Sequence, residues 1–195
     1  MYKKNFLEFY KFIDKYDDFN YLLAILRFLT SPTSSNIKIA TLVNICNSSR
    51  KLKDIWSENK DFFRKMLNVD YFEFKESENF TLVYFYKKKL LKEILLEESI
   101  SNYLISLNYR EYETVEKYLN VLKSKFTENN SCPNEIGVFL GYPLNDVIDF
   151  ECKNKECKLS GYWKCYNDIY ASKKTFEKYD NEKLKIIEKY YKDAI

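Results

Sequence analysis

The chain's 195 residues suit a single domain and are enough to bury roughly 70% of the unfolded surface. Hydrophobic residues make up 46% and aromatics 18%, which excludes a disordered chain, and 32 basic and 29 acidic residues interleave to a net +3, leaving no one-signed field for nucleic acid or anionic lipid. Histidine is absent altogether, so the usual general base, the usual proton shuttle and the commonest metal ligand are missing together.

From Phe6 to Leu29 apolar residues recur at helical spacing, with a break at Asp17 and Asp18, and predict helices over 3–15 and 19–29. The polar run TSPTSSN, 30–36, predicts a loop that enters a third helix near Lys38, over 37–46, and a fourth helix is expected over 52–67. Residues 71–74 and 80–86 are β-branched or aromatic, and the ESEN between them supplies turn chemistry for a hairpin. Helical periodicity returns over 87–107 and 111–126, the latter ended by Asn129, Asn130 and Pro133.

The block PNEIGVFLGYP, 133–143, holds two of the three prolines and two of the three glycines. The apolar run 136–140 between Gly137 and Gly141 reads as a strand, and Pro143 then suits the first turn of a helix. The glycines permit either a ligand-binding turn or tight packing. GYWKCY, 161–166, alternates as a half-buried strand, Asn167 and Asp168 cap a helix, and the tail from Glu182 is a charged amphipathic helix.

The first residues lack a signal peptide's apolar run and nowhere do eighteen apolar residues follow one another, so a cytoplasmic protein without a membrane partner is expected. Cys46, Cys132, Cys152, Cys157 and Cys165 then read as free thiols. The C-x4-C-x7-C spacing of the last three lacks paired CxxC knuckles, Cys165 reads as a core residue, and no metal site is expected. SPTSSNIK, with its hydroxyls and Lys38 at an expected helix start, suits either an anion or ordinary N-capping. Glu135, Asp146 and Asp149 offer acid–base work or simple capping, and Tyr142, Tyr162, Trp163 and Tyr166 a stacking platform or sheet packing. Neither GK[ST] nor GxGxxG occurs, and the cofactor is unknown.

SPTSSNIKIATL (31–42), PNEIGVFLGYPLNDVIDF (133–150) and GYWKCYND (161–168) together resemble the family known as domain of unknown function 3793, common in low-GC anaerobic bacteria. The second segment is similar to the family's HEIGIFLGYPLEDV and the third to its GYWKVYGD. Where the resemblance implies a cysteine ahead of the PT pair this chain has Thr30, and where it implies a histidine ahead of EIG it has Asn134. A cysteine near a helix N-terminus with a histidine for its base would make a thiol site, of which this chain would be a degenerate copy; local hydrogen bonding is the other explanation.

These readings combine into an α+β fold of one domain, 1–195, helical over 1–67 and sheet-containing over 68–195. A small, mostly antiparallel sheet from 71–86, 136–140 and 161–166 is expected under helices from both ends of the chain. The expected function is non-enzymatic binding of a small molecule or partner protein, not nucleic acid. It would use a cleft between 30–38 and 134–146 holding Thr30, Thr33, Lys38, Asn134, Glu135, Gly137, Gly141, Tyr142, Asp146 and Trp163. The alternative is the degenerate hydrolase- or transferase-like thiol protein, with no catalytic residue left to name.

Overall fold

The computed structural model describes residues 2–128, 131–153 and 155–194. In chain order the elements are α1 (Tyr2–Ile13), α2 (Asp18–Ser34), β1 (Ala40–Cys46), α3 (Leu52–Glu58), α4 (Lys60–Leu67), β2 (Asp70–Glu76), β3 (Phe80–Tyr86), α5 (Lys88–Leu95), α6 (Glu98–Ser106) and α7 (Val115–Glu128). There follow α8 (Ile136–Phe139), α9 (Leu144–Cys152), β4 (Leu159–Ser160), β5 (Lys164–Cys165) and α10 (Ile169–Lys192).

The sheet is antiparallel with order β1-β3-β2, and β4 and β5 form a separate two-stranded ribbon. β3 is buried on both faces. Val83 and Phe85 pack with Val43, Leu22, Leu26, Trp56 and Phe63, against α2, α3 and α4. Tyr84 and Tyr86 pack on the other face with Ala40, Leu91, Leu119 and Phe139, against α5, α7 and α8. The result is an α+β fold in which helices cover both sides of a three-stranded sheet. α1 and α10 close over the outer side of α2 through Phe9, Ile13, Phe28 and Ile187.

The hairpin forms where expected, as β2 and β3, with a bulge between Glu73 and Lys75. Glu73 accepts from Trp56 Nε1 at 2.8 Å and pairs with Lys60 at 2.8 Å, so one carboxylate ties α3 and α4 to the edge strand. Helical periodicity over 52–67 resolves into two helices that meet at Asn59, and that over 87–107 into α5 and α6, which meet at Leu96 and Glu97. The termination expected at Asn129 and Asn130 lies outside the described residues.

Three local expectations are corrected. Residues 30–34 are helix rather than loop, because α2 runs through Pro32. Proline has no N–H for the carbonyl of Phe28, and the Ser31 hydroxyl donates to that oxygen instead, at 3.0 Å. Residues 40–46 form a strand rather than a helix: Ile37, Ile39, Thr41, Val43 and Ile45 alternate with period two, and β3 supplies the partner on which β-branched residues pack well.

Residues 136–139 are helix rather than strand. The turn begins just after Pro133 and ends at Gly141, whose φ of +78° is the left-handed conformation glycine adopts freely. Tyr142 N–H bonds the carbonyl of Gly137 and Gly141 N–H that of Val138, each at 2.9 Å, the doubly bonded closure of a helix C-terminus. The block is therefore punctuation for two helices: proline starts α8, glycine ends it, and Pro143 starts α9. GYWKCY pairs as a strand only at Lys164 and Cys165.

Candidate functional site

α8 and α9 meet at a tight corner because Gly137 has no side chain; a Cβ there would lie 2.7 Å from Val147 Cγ2. Beside this corner lies a cavity of about 330 Å³ whose lining is mostly apolar: Pro133, Ile136, Tyr142, Val147, Phe150 and Trp163. Asn134, Gly137 and Asp146 also line it, with Cys132 and Lys164. The Tyr142 and Trp163 rings stack with centroids 5.2 Å apart, and Phe176 from α10 meets Trp163 edge-on at 4.5 Å. Burial pushes the Tyr142 phenol up to about 12, so it stays protonated at neutral pH.

Asp146 is 3% exposed and holds the wall in place. Its carboxylate accepts from Trp163 Nε1 at 2.9 Å, Tyr166 N at 2.9 Å, Asn167 N at 3.1 Å and Asn167 Nδ2 at 2.9 Å. Four donors satisfy the buried charge and pin residues 163–167 to the first turn of α9. A carboxylate so engaged serves as a structural bracket. Asp149 is held likewise, by Asn167 and Lys155, and these partners keep its carboxyl below the ordinary range.

Five of the ten expected site residues, Asn134, Gly137, Tyr142, Asp146 and Trp163, come together around this cavity. The other five lie elsewhere. Thr30 is fully buried within α2 and its hydroxyl donates to the carbonyl of Leu26 at 2.6 Å. Thr33 is equally buried, its hydroxyl 2.9 Å from that of Thr41 on β1. Gly141 touches the 37–39 segment directly, since a Cβ on it would meet Ile39 Cδ1 at 2.9 Å. Glu135 faces a second, polar cavity of about 600 Å³ that shares the wall 132–134; there it pairs with Lys125 at 2.8 Å and accepts from the Tyr109 hydroxyl at 3.3 Å. Lys38 points toward the rings of Tyr162 and Tyr179.

Two chemical expectations for the 30–38 segment are overturned by its placement. No helix begins at Lys38, so there is no N-terminal cradle for an anion. Residues 31–34 form the C-terminal end of α2, where the dipole disfavours negative charge and the carbonyls of Ser31, Pro32 and Thr33 accept from the backbone N–H groups of residues 35–38. The serine hydroxyls there donate to carbonyls: Ser34 to Leu67 and Ser35 to Ser31. For the same reason a cysteine at position 30 would sit buried near a helix C-terminus, which raises rather than lowers a thiol's proton affinity. The thiol that does line the cavity, Cys132, is pushed up by burial and by Glu135.

Sequence reasoning does not single out Cys132, Pro133, Ile136, Val147, Phe150 or Lys164 as site residues. Val147 and Phe150 are three apart on α9, the spacing of one helical face, and that is the available signal. Lys164, over the Phe150 ring at 5.4 Å, gives none, because strand alternation assigns it only an outward face. Cys165 is fully buried, as a core residue. Among the described residues no group of three or more His, Cys, Asp or Glu side chains is placed to hold a metal ion.

Fold and site together define an α+β protein with a small apolar cavity at a proline- and glycine-framed helix corner. The chain belongs to the family described as protein of unknown function (DUF3793), whose model matches residues 26–194, a span that includes the whole cavity. No curated protein and no solved structure matches the chain.

Proposed function

We propose that this protein binds a small, largely apolar molecule in the cavity between α8, α9 and β5, and performs no chemistry on it. The observation that carries the reading is the combination of an apolar wall with a buried carboxylate whose four donors come from the protein itself. Such a site is pre-formed, and its polar groups do not have to be rebuilt when a ligand enters. A ligand burying roughly 200 Å² of apolar surface would gain about 5 kcal/mol before ordering costs, so weak affinities, of the order of a millimolar, are expected. Its five cysteines carry no disulfide, which suits a reducing cytoplasm, and among the described residues no helix is long and apolar enough to cross a membrane.

The test uses Trp163 as reporter. Trp56 is the other tryptophan and lies in the separate core under α3, so Trp56→Phe leaves a single emitter at the cavity. Titration with indole, naphthol and short fatty acids should give saturable fluorescence change with at least one of them. Asn134→Trp, an exposed change at the mouth, should abolish it, read by calorimetry in the same panel. No saturable binding of any probe, or binding unaffected at Asn134→Trp, would overturn the reading.

A further inference from the structure

The wall of the apolar cavity carries more hydrogen-bond donors than the protein uses. Its one carboxylate, Asp146, has both oxygens occupied, Oδ1 by Tyr166 N, Asn167 N and Asn167 Nδ2, and Oδ2 by Trp163 Nε1. The Cys132 thiol faces the carbonyl of Pro133 at 3.9 Å, and the Asn134 amide can donate or accept equally well. Two groups are left over. The Lys164 ammonium, on β5, lies 5.4 Å from the centroid of the Phe150 ring and forms no ion pair among the described residues, with Asp146 or any other acid. The Tyr142 hydroxyl has no hydrogen-bond partner among the described residues either, and its oxygen is not sealed inside the protein.

An ammonium can only donate, and the phenol has its proton free to give. A ligand with a cationic head would meet Lys164 with like charge, and one with no polar head would leave both donors facing hydrocarbon. An anionic acceptor matches what the wall offers. One cation balances a single negative charge, so a carboxylate fits and a dianionic phosphate would leave one charge unpaired. Phe150 is 41% exposed and Lys164 is exposed beside it, which sets the cation where the apolar wall meets solvent. A charged head at that level keeps part of its hydration and escapes the desolvation cost of a fully buried ion pair, while the body behind it enters the apolar space.

We propose that the ligand of this cavity is a small apolar carboxylic acid bound as its anion, its body against Phe150, Val147 and the stacked Tyr142 and Trp163 rings and its head paired with Lys164 at the rim. The inference rests on the binding function proposed above and narrows it from apolar molecules in general to apolar acids. Lys164 is then the specificity-determining residue. Its contribution is selectivity more than affinity, since an ion pair at an exposed rim is worth only about fivefold in binding, against the larger gain from the apolar body.

The experiment titrates the full chain at neutral pH with naphthoate, naphthalenemethanol and naphthalenemethylamine, which share one ring system and differ in head charge, and follows the Trp163 Nε1–H resonance by NMR. Naphthoate should bind about fivefold tighter than the alcohol and the amine weakest, with the gap between acid and alcohol narrowing as salt is added. Lys164→Gln, at an exposed position, should bring naphthoate down to the affinity of the alcohol in the same variant, and Lys164→Arg should keep the preference. Lys158→Gln, an exposed lysine next to β4 and outside the cavity lining, should leave the preference intact. Alcohol or amine binding as tightly as the acid, or an acid preference that survives Lys164→Gln, would overturn this inference and leave the binding function standing. Saturation by none of the three would overturn both.

Discussion

Replacing Lys38 by methionine should stabilise the protein at neutral pH and flatten its stability between pH 8 and 10. Unfolded, Lys38 holds its proton with the ordinary affinity of 10.5; folded, desolvation and Lys183 bring it to about 8. Below pH 8 both states are protonated and the folded state carries the full penalty. Between about 8 and 10.5 only the unfolded state binds the proton, so stability rises with pH, and above 10.5 the penalty is gone. At about 1.36 kcal/mol per tenfold change in proton affinity, the rise amounts to roughly 3 kcal/mol. Tyrosines act in the opposite sense higher up: Tyr142 and Tyr179 are pushed up to about 12 by burial, so the folded state keeps protons that the unfolded state loses above pH 10. The wild type should therefore be most stable near pH 10. Urea unfolding followed by near-ultraviolet circular dichroism, in buffers from pH 7 to 11, measures this directly. In Lys38→Met the rise from pH 8 to 10 should largely vanish, and stability at pH 7 should increase by about 2–3 kcal/mol, because methionine fills similar space without charge. A wild-type profile that is flat or falling between pH 8 and 10 would refute the assignment of a strained, desolvated lysine.

Three further substitutions follow from the corner. Asp146→Asn leaves some of four converging N–H donors facing an amide rather than a carboxylate and should cost about 2–4 kcal/mol in chemical denaturation, with weakened near-ultraviolet signal from Trp163. Gly141→Ala places a Cβ at a φ of +78° and 2.9 Å from Ile39; a loss of about 1–3 kcal/mol is expected, larger than for Gly→Ala at an unstrained turn, measured by thermal melting. Tyr84→Phe removes the buried donor to the carbonyl of Phe139 and should cost about 1–2 kcal/mol while leaving the secondary-structure content unchanged by far-ultraviolet circular dichroism.

The hairpin is legible in the sequence because residues 70–86 combine β-branched and aromatic residues with polar turn chemistry, and both signals are local. β1 is not, because IKIATLVNIC satisfies helical and strand periods at once; the choice falls to β3, a partner 34 to 46 residues away in the antiparallel register. α8 reads as a strand because the five-residue apolar run 136–140 has no length to betray its period, although proline before it and glycine after it mark a helix more than a strand. For the site, the block 133–146 and Trp163 are readable from punctuation and aromatic content. Thr30, Thr33 and Lys38 are drawn to the same place by their polarity, but continuation of α2 through Pro32 sends the threonine hydroxyls to Leu26 and Thr41 and Lys38 to α10. Lys164 and Phe150 depend on how α9 meets β5, which no local pattern encodes.

The two-sided burial of β3 sets an order for events on the ribosome. Once residue 86 has emerged, β1, β2 and β3 can pair and α2, α3 and α4 can cover one face, while Tyr84, Tyr86, Phe74 and Ala40 still present an apolar face to solvent. That face is closed only when α5 to α8 have been made, and α10, synthesised later still, returns to α1 and α2 through Ile187, Phe9 and Phe28. The nascent chain thus passes through a stage with a finished ladder and one bare side, during which it is most exposed to chaperone capture and to pairing with its neighbours on a polysome.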